Sequence, residues 1–115
     1  VIDSINLLTM FSKSDDERRR ILASLTNTFS ALGCTTLLIS ETEEFTMRLS
    51  HYGIEEFVVD GVIALYLLWH GSYFVPGIAV RKMRGSDHDK EVRTYQITNK
   101  GILVYPTETL FEEVR

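Results

Sequence analysis

Between Ser12 and Ile39 the chain runs in order through a polar stretch, a helix start, an apolar stripe, a glycine and a second apolar run. That order leaves few folds open. Ser14-Asp15-Asp16-Glu17 has the form of a capping box, with Ser14 as N-cap and Glu17 as its reciprocal partner. Ile21, Leu22, Leu25, Phe29 and Leu32 are related by spacings of three and four residues and make one apolar stripe. Gly33 stands where a helix ends in the left-handed conformation. The spacing predicts a helix over Asp15–Leu32, with Arg18, Arg19 and Arg20 on its solvated side. Thr35 to Ile39 is a β-branched and leucine run, which reads as a buried parallel strand. Val1-Ile2-Asp3 supplies its neighbour, so the first third of the chain reads as a β-α-β unit with a right-handed crossover.

The remainder reads differently. Glu41 to Ser50 is polar and acidic, a loop. Tyr52 to Phe57 predicts a short helix with Ile54 and Phe57 inward. Val58 to Trp69 predicts a strand, His70-Gly71-Ser72 a turn, and Tyr73 to Met83 the returning strand. Pro76 and Gly77 make that return bulged or place it at an edge. Arg93–Ile97 and Ile102–Tyr105 form a second hairpin through Thr98-Asn99-Lys100-Gly101, stopped by Pro106. The fold class is α/β: β-α-β followed by antiparallel hairpins in a mixed sheet.

Composition narrows the function classes. A net charge of −4 argues against a general nucleic-acid coat, although a local basic patch can still bind phosphates. No run approaches the roughly 18–20 apolar residues of a membrane span. The single cysteine, Cys34, excludes an internal disulfide and fits a reducing, cytoplasmic compartment. Its place between Gly33 and an apolar run predicts a buried, inert thiol.

The chemistry concentrates in Lys82-Met83-Arg84-Gly85-Ser86-Asp87-His88-Asp89-Lys90. Side chains two apart on a strand share a face, so Lys82 and Arg84 point the same way. Gly85 lets the backbone turn sharply or approach a ligand closely. From charge spacing alone, a solvated hairpin tip and a polyphosphate site are both open readings. His88 between two aspartates is not read as a metal site, because no second histidine or cysteine lies at ligand spacing. His51 and His70 read as a loop residue and a hairpin-tip residue.

That stretch, followed by Tyr95-Gln96-Ile97-Thr98-Asn99-Lys100-Gly101-Ile102, resembles the C-terminal part of a KaiC-type ATPase domain, one of the RecA-like P-loop ATPases. Val1-Ile2-Asp3-Ser4 and Tyr52-Gly53-Ile54-Glu55-Glu56-Phe57-Val58-Val59-Asp60-Gly61-Val62 match the same family in the same order. The resemblance covers essentially the whole chain. No G-x-x-x-x-G-K-[ST] loop occurs in it. The resemblance therefore implies that residues 1–115 are the C-terminal portion of one such domain, truncated before the Walker B strand, and inactive alone.

The family likeness also implies roles. Asp3 takes the place of the Walker B aspartate, which holds magnesium through water, where a bland reading makes it a loop residue. Glu41, at the end of the next strand, lies beside the terminal phosphate; the residues alone equally allow a solvated loop acid. Lys82 and Arg84 are similar to cations that reach the ATP of the neighbouring subunit, by arginine-finger logic. Ser86, His88 and Lys90 match positions contacting the same nucleotide. The implied cofactors are ATP and Mg2+ in the complete domain, and the implied assembly is a homo-oligomer. A non-enzymatic, self-associating module is the alternative. The chain departs from the family at Tyr73-Phe74-Val75-Pro76-Gly77-Ile78-Ala79-Val80, apolar where several basic residues are usual. Trp69, Tyr73 and Phe74 either cover the sheet or form an exposed patch for a partner or a membrane surface.

Overall fold

A computed structural model describes residues 1–42, 53 and 55–109. The chain divides into two compact units, Val1–Val59 and Asp60–Arg115. The stretch 43–50 read as a loop, and His51, Tyr52 and Ile54, lie outside the described residues.

In the first unit, β1 (Ile2–Asp3) leads through α1 (Asn6–Thr9) and α2 (Asp15–Ala31) to β2 (Leu38–Ile39) and α3 (Glu55–Val58). The two strands pair in parallel, Ile2 opposite Leu38 and Asp3 opposite Ile39, which is the β-α-β unit expected. The paired part of the Thr35–Ile39 run is shorter than predicted, because β1 offers it only two residues.

Helix α2 starts and stops by the predicted chemistry. The Ser14 hydroxyl accepts from the Glu17 amide at 3.1 Å. The return bond of the box is displaced by one residue: the Glu17 carboxylate accepts from the Lys13 amide at 2.8 Å. At the other end Gly33, at φ 74°, donates to the Ser30 carbonyl and Cys34 donates to the Phe29 carbonyl, the two bonds of a Schellman motif. That motif corrects the reading of Cys34. Its backbone completes the helix end at the surface, so the thiol is exposed rather than buried.

Leu22 and Ile5 form the buried centre of this unit, with Ile2, Leu38 and Val58 packed against them. Arg18 departs from the solvated face assigned to its triplet. It is half-buried, donates to the carbonyls of Thr9 (3.4 Å) and Ser12 (3.2 Å), and pairs with Asp15 at 2.7 Å. It thereby ties the polar stretch ahead of α2 to the first turn of the helix. Helix α3 is rotated from its prediction. Glu55 is buried and Val58 packs on the core, while Phe57 is 67% exposed, because residues three apart share a helix face and here that face is 55/58.

The second unit is a four-stranded antiparallel sheet in the order β3 (Gly61–His70), β4 (Tyr73–Met83), β5 (Arg93–Thr98) and β6 (Gly101–Thr109). Strand β3 begins at Gly61 rather than Val58, which closes α3 instead. Tyr66, Ala79 and Val92 are its buried centre, flanked by Ala64 and Leu68. Strand β4 is internal in the order, not an edge. Pro76 is tolerated there because β5 meets β4 only at Gly77 and Ile78. The bulge falls elsewhere: Val62 faces Lys82 but Ile63 faces Val80, leaving Arg81 as the extra residue. Pro106 does not stop β6, which continues to Thr109. The alternate residues of β3, Ile63, Leu65, Leu67 and Trp69, are each 59–64% exposed. Trp69 and Phe74 meet edge-to-face at 5.0 Å, and Tyr73 contacts His70 similarly. Of the two readings for these aromatics, the exposed patch is the one observed.

Candidate functional site

The residues singled out from the sequence fall into two groups, one in each unit. In the first, Asp3 ends β1 and Glu41 follows β2 by two residues. Parallel pairing puts both at the C-terminal ends of adjacent strands, where open α/β sheets bind their ligands. Both are exposed. Among the described residues, neither carboxylate has a hydrogen-bond or ion-pair partner. Ser40, just ahead of Glu41, holds a buried hydroxyl that likewise has no partner among the described residues.

The backbone that carries these carboxylates is held by Asn6, which sequence reasoning missed. The Asn6 side chain accepts from the Glu41 amide at 3.1 Å and donates to the Glu41 carbonyl at 3.2 Å. Ser4 fixes Asn6 in turn: its hydroxyl donates to Asn6 Oδ1 at 3.1 Å and accepts from the Asn6 amide at 3.2 Å. No motif announces such a contact, because it spans 35 residues of sequence.

In the second unit, Lys82 lies opposite Val62, and Arg84 extends the same ladder by donating its amide to the Asp60 carbonyl at 2.8 Å. Lys82 is half-buried and Arg84 exposed. Arg84 Nη1 also pairs with the Asp60 carboxylate at 2.8 Å. Gly85, at φ 77°, is the third residue of a turn closed from the Ser86 amide to the Met83 carbonyl at 3.4 Å. The positive φ at that position is the type II requirement that favours glycine.

Beyond the turn the loop is braced from within. The Asp87 carboxylate accepts from Lys90 Nζ at 3.0 Å and from the His88 amide at 2.9 Å. These contacts hold its carboxyl below the usual aspartate range, the Lys90 bond first. Asp89 is likewise lowered, first by Arg93 Nε at 2.8 Å and then by the Glu91 amide. His88 lies half-buried with Nδ1 2.9 Å from the Asp89 carbonyl. Ser86 turns its hydroxyl onto the Asp87 carbonyl at 3.0 Å. Lys82, Arg84, Ser86, His88 and Lys90 thus follow one another along a strand end and its glycine turn, with Arg84, Ser86, His88 and Lys90 each engaged by a neighbouring group. Among the described residues there is no group of three or more metal-ligating side chains.

A β-α-β unit with carboxylates at its strand ends, followed by an antiparallel sheet with a basic glycine turn, makes a mixed α/β fold. A sequence model of the KaiC ATPases matches residues 1–109, and the chain belongs to that family. It is 34% identical over 108 residues to a UPF0273 protein of Thermotoga maritima, covering 94% of this chain and 43% of that protein. It is 30% identical over 105 residues to the circadian clock oscillator protein KaiC of Synechococcus elongatus, covering 91% of this chain and 20% of that one. A crystal structure of a KaiC-like protein from Pyrococcus horikoshii superposes with a TM-score of 0.77 at 34% identity, over 91% of this chain and 45% of the other. The chain therefore spans less than half the length of these relatives.

Proposed function

We propose that residues 1–115 are the C-terminal portion of one KaiC-type ATPase domain, beginning at the Walker B strand, and that the complete domain binds and hydrolyses ATP at the interfaces of a cytoplasmic homo-oligomer. The observation that carries this reading is the parallel pairing of β1 with β2, with two carboxylates at the strand ends that have no partner among the described residues. In it Asp3 would hold magnesium and Glu41 would lie beside the terminal phosphate. Lys82 and Arg84 reach the nucleotide of the adjacent subunit, and Ser86, His88 and Lys90 contact the same nucleotide.

The donor set of Asp3 suits magnesium. That ion keeps several waters and takes one or two carboxylates together with substrate phosphates, rather than a protein cage. A single exposed aspartate, without a partner among the described residues, supplies that kind of ligation. Bound Mg2+ supplies charge neutralisation on the phosphates. Asp3 binds and orients it, and the guanidinium of Arg84 adds donors in a planar fork that matches phosphate oxygens. Arg84 must exchange Asp60 for phosphate to do so. An exposed ion pair is worth only about 0–1 kcal/mol, so the exchange is inexpensive.

ATP turnover tests the reading. The chain alone, without a phosphate-cradling loop, hydrolyses no ATP. In the complete ATPase, Asp3→Ala abolishes magnesium-dependent turnover. Turnover by the chain alone that disappears in Asp3→Ala overturns the proposed need for the missing portion.

The exposed row Ile63, Leu65, Leu67 and Trp69 favours a second reading, a self-associating module without catalysis. A complete ATPase that binds no ATP while the chain assembles through this row decides for it.

A further inference from the structure

We propose that Asn6 is a positioning residue for Glu41, acting as one more rung of the β1–β2 ladder beyond the ends of both strands. The inference rests on the proposed place of Glu41 beside the terminal phosphate.

The ladder between the two segments has backbone rungs from the Ile2 amide to the Leu37 carbonyl and from the Ile5 amide to the Ile39 carbonyl, each 2.9 Å. The next rung cannot come from the backbone of residue 6. That residue opens α1, and its amide is turned to Ser4 Oγ. The side chain takes over. A carboxamide carries the same donor and acceptor as a peptide group, and Asn6 spends both on the peptide groups of Glu41. Its Oδ1 faces two donors, the Ser4 hydroxyl and the Glu41 amide, which fixes which way the amide is turned. The Glu41 carboxylate is left out of this clamp and without a protein partner among the described residues.

The arrangement separates two tasks. Asn6 holds the main chain of residue 41, and the Glu41 side chain remains available for a ligand. The same turn, Asp3-Ser4-Ile5-Asn6, carries the Asp3 carboxylate at one end and the clamp at the other. Asn6 therefore fixes the strand end that bears Glu41 to the strand end that bears Asp3. A side chain displaced by about 1 Å from its working geometry can cost on the order of 100-fold in rate.

The substitutions differ in what they remove. Asn6→Ala loses both bonds to Glu41. Asn6→Asp has the same shape and keeps the acceptor, but sets a carboxylate oxygen against the Glu41 carbonyl. Protonation of that introduced carboxyl restores the donor, so activity of Asn6→Asp recovers on acidification where the unsubstituted enzyme shows no such rise.

The test is a double-mutant cycle on ATP hydrolysis by the complete ATPase, with amide hydrogen exchange at residue 41 alongside. We expect Glu41→Gln to lower kcat, and Asn6→Ala to lower kcat by about 10- to 100-fold with KM for ATP within about twofold. We expect Asn6→Ala to add nothing in the Glu41→Gln background. Exchange of the Glu41 amide accelerates in Asn6→Ala while that of the Ile5 amide stays protected. If Glu41→Gln leaves kcat unchanged, the role given to Glu41 fails and the positioning proposal falls with it. If Glu41→Gln lowers kcat but Asn6→Ala does not, or the two losses multiply, the positioning proposal alone is overturned. Loss of Ile5 protection in Asn6→Ala marks general unfolding; Asn6→Asp then decides, and a flat low-pH limb in its profile overturns the proposal.

Discussion

Arg84 is bound twice to Asp60 across the open end of the β3–β4 hairpin, backbone to backbone at 2.8 Å and guanidinium to carboxylate at 2.8 Å. The first contact continues the ladder and fixes the main chain of residue 84. The second involves side chains that are 59% and 87% exposed and is readily exchanged. Asp60→Ala therefore changes the stability of the chain by less than about 1 kcal/mol, read as a shift in urea midpoint. A larger loss shows that the pair is part of the hairpin's framework and counts against a mobile Arg84.

The glycine-turn loop responds to acid. Asp87 and Asp89 have carboxyl groups held below the usual aspartate range by Lys90 and Arg93 in the first place. For a lowered carboxylate, the bonds it makes are in place above its ordinary pKa and are lost as pH falls through the lowered value. The amide signals of His88 and Glu91, which donate to these carboxylates, should titrate below the ordinary aspartate range. Midpoints within that range, followed by NMR, show that the bracing bonds do not form in solution. High salt should bring the midpoints back toward the ordinary value, since both acids are exposed.

Leu22 is fully buried at the centre of the first unit, while Leu25, one step along the same stripe, is half-buried. Leu22→Ala should cost about 2–5 kcal/mol, and Leu25→Ala clearly less. Urea unfolding by circular dichroism checks the order. Equal losses mean that the stripe, rather than the Ile5–Leu22 contact, organises the core.

The helix was the most legible part of the chain. Ser14 and Gly33 bound α2 within a residue of prediction, because caps act through neighbouring atoms and are written locally. The parallel pairing of Val1-Ile2-Asp3 with Leu38–Ile39 was also legible, since a helix between two apolar runs forces it. What failed depended on contacts remote in sequence. The rotation of α3 is set by packing of Val58 on Ile5 and Leu22, which no local pattern encodes. The bulge at Arg81 falls away from Pro76-Gly77, since β5 meets β4 over too few residues for the proline to break a ladder. Cys34 is the exception, a local contact: its amide closes the helix end on the Phe29 carbonyl, and the thiol lies at the surface. The family likeness singled out the carboxylates and cations as candidates but neither Asn6 nor Asp60. These two act through partners 35 and 24 residues away.

The outward row of β3 should make the isolated chain associate. Ile63, Leu65 and Leu67 are each 59% exposed and Trp69 is 64% exposed, and strand β3 lies at the end of its sheet. Light scattering should return a mass above that of the monomer, rising with concentration. Leu65→Lys puts a charge in the middle of the row and should move the species toward monomer. A monomer mass across a wide concentration range rejects the proposed association, and an unchanged oligomer in Leu65→Lys moves the contact away from this face.

In the complete ATPase, Arg84→Ala should lower kcat far more than it weakens ATP binding, because a cation supplied in trans acts on transition-state charge. The loss should be on the order of 10³-fold or more. Lys82→Ala should cost less: an ammonium is a point charge without the planar fork of a guanidinium. Lys82 is also half-buried opposite Val62, so its reach is shorter than that of exposed Arg84. Mixing Arg84→Ala subunits with Asp3→Ala subunits distinguishes action across the interface from action within a subunit. Where the cation acts in trans, half of the mixed interfaces join an Asp3 from one parent to an Arg84 from the other, and activity returns in part. Mixed oligomers that form and stay inactive place the cation in cis or outside the reaction.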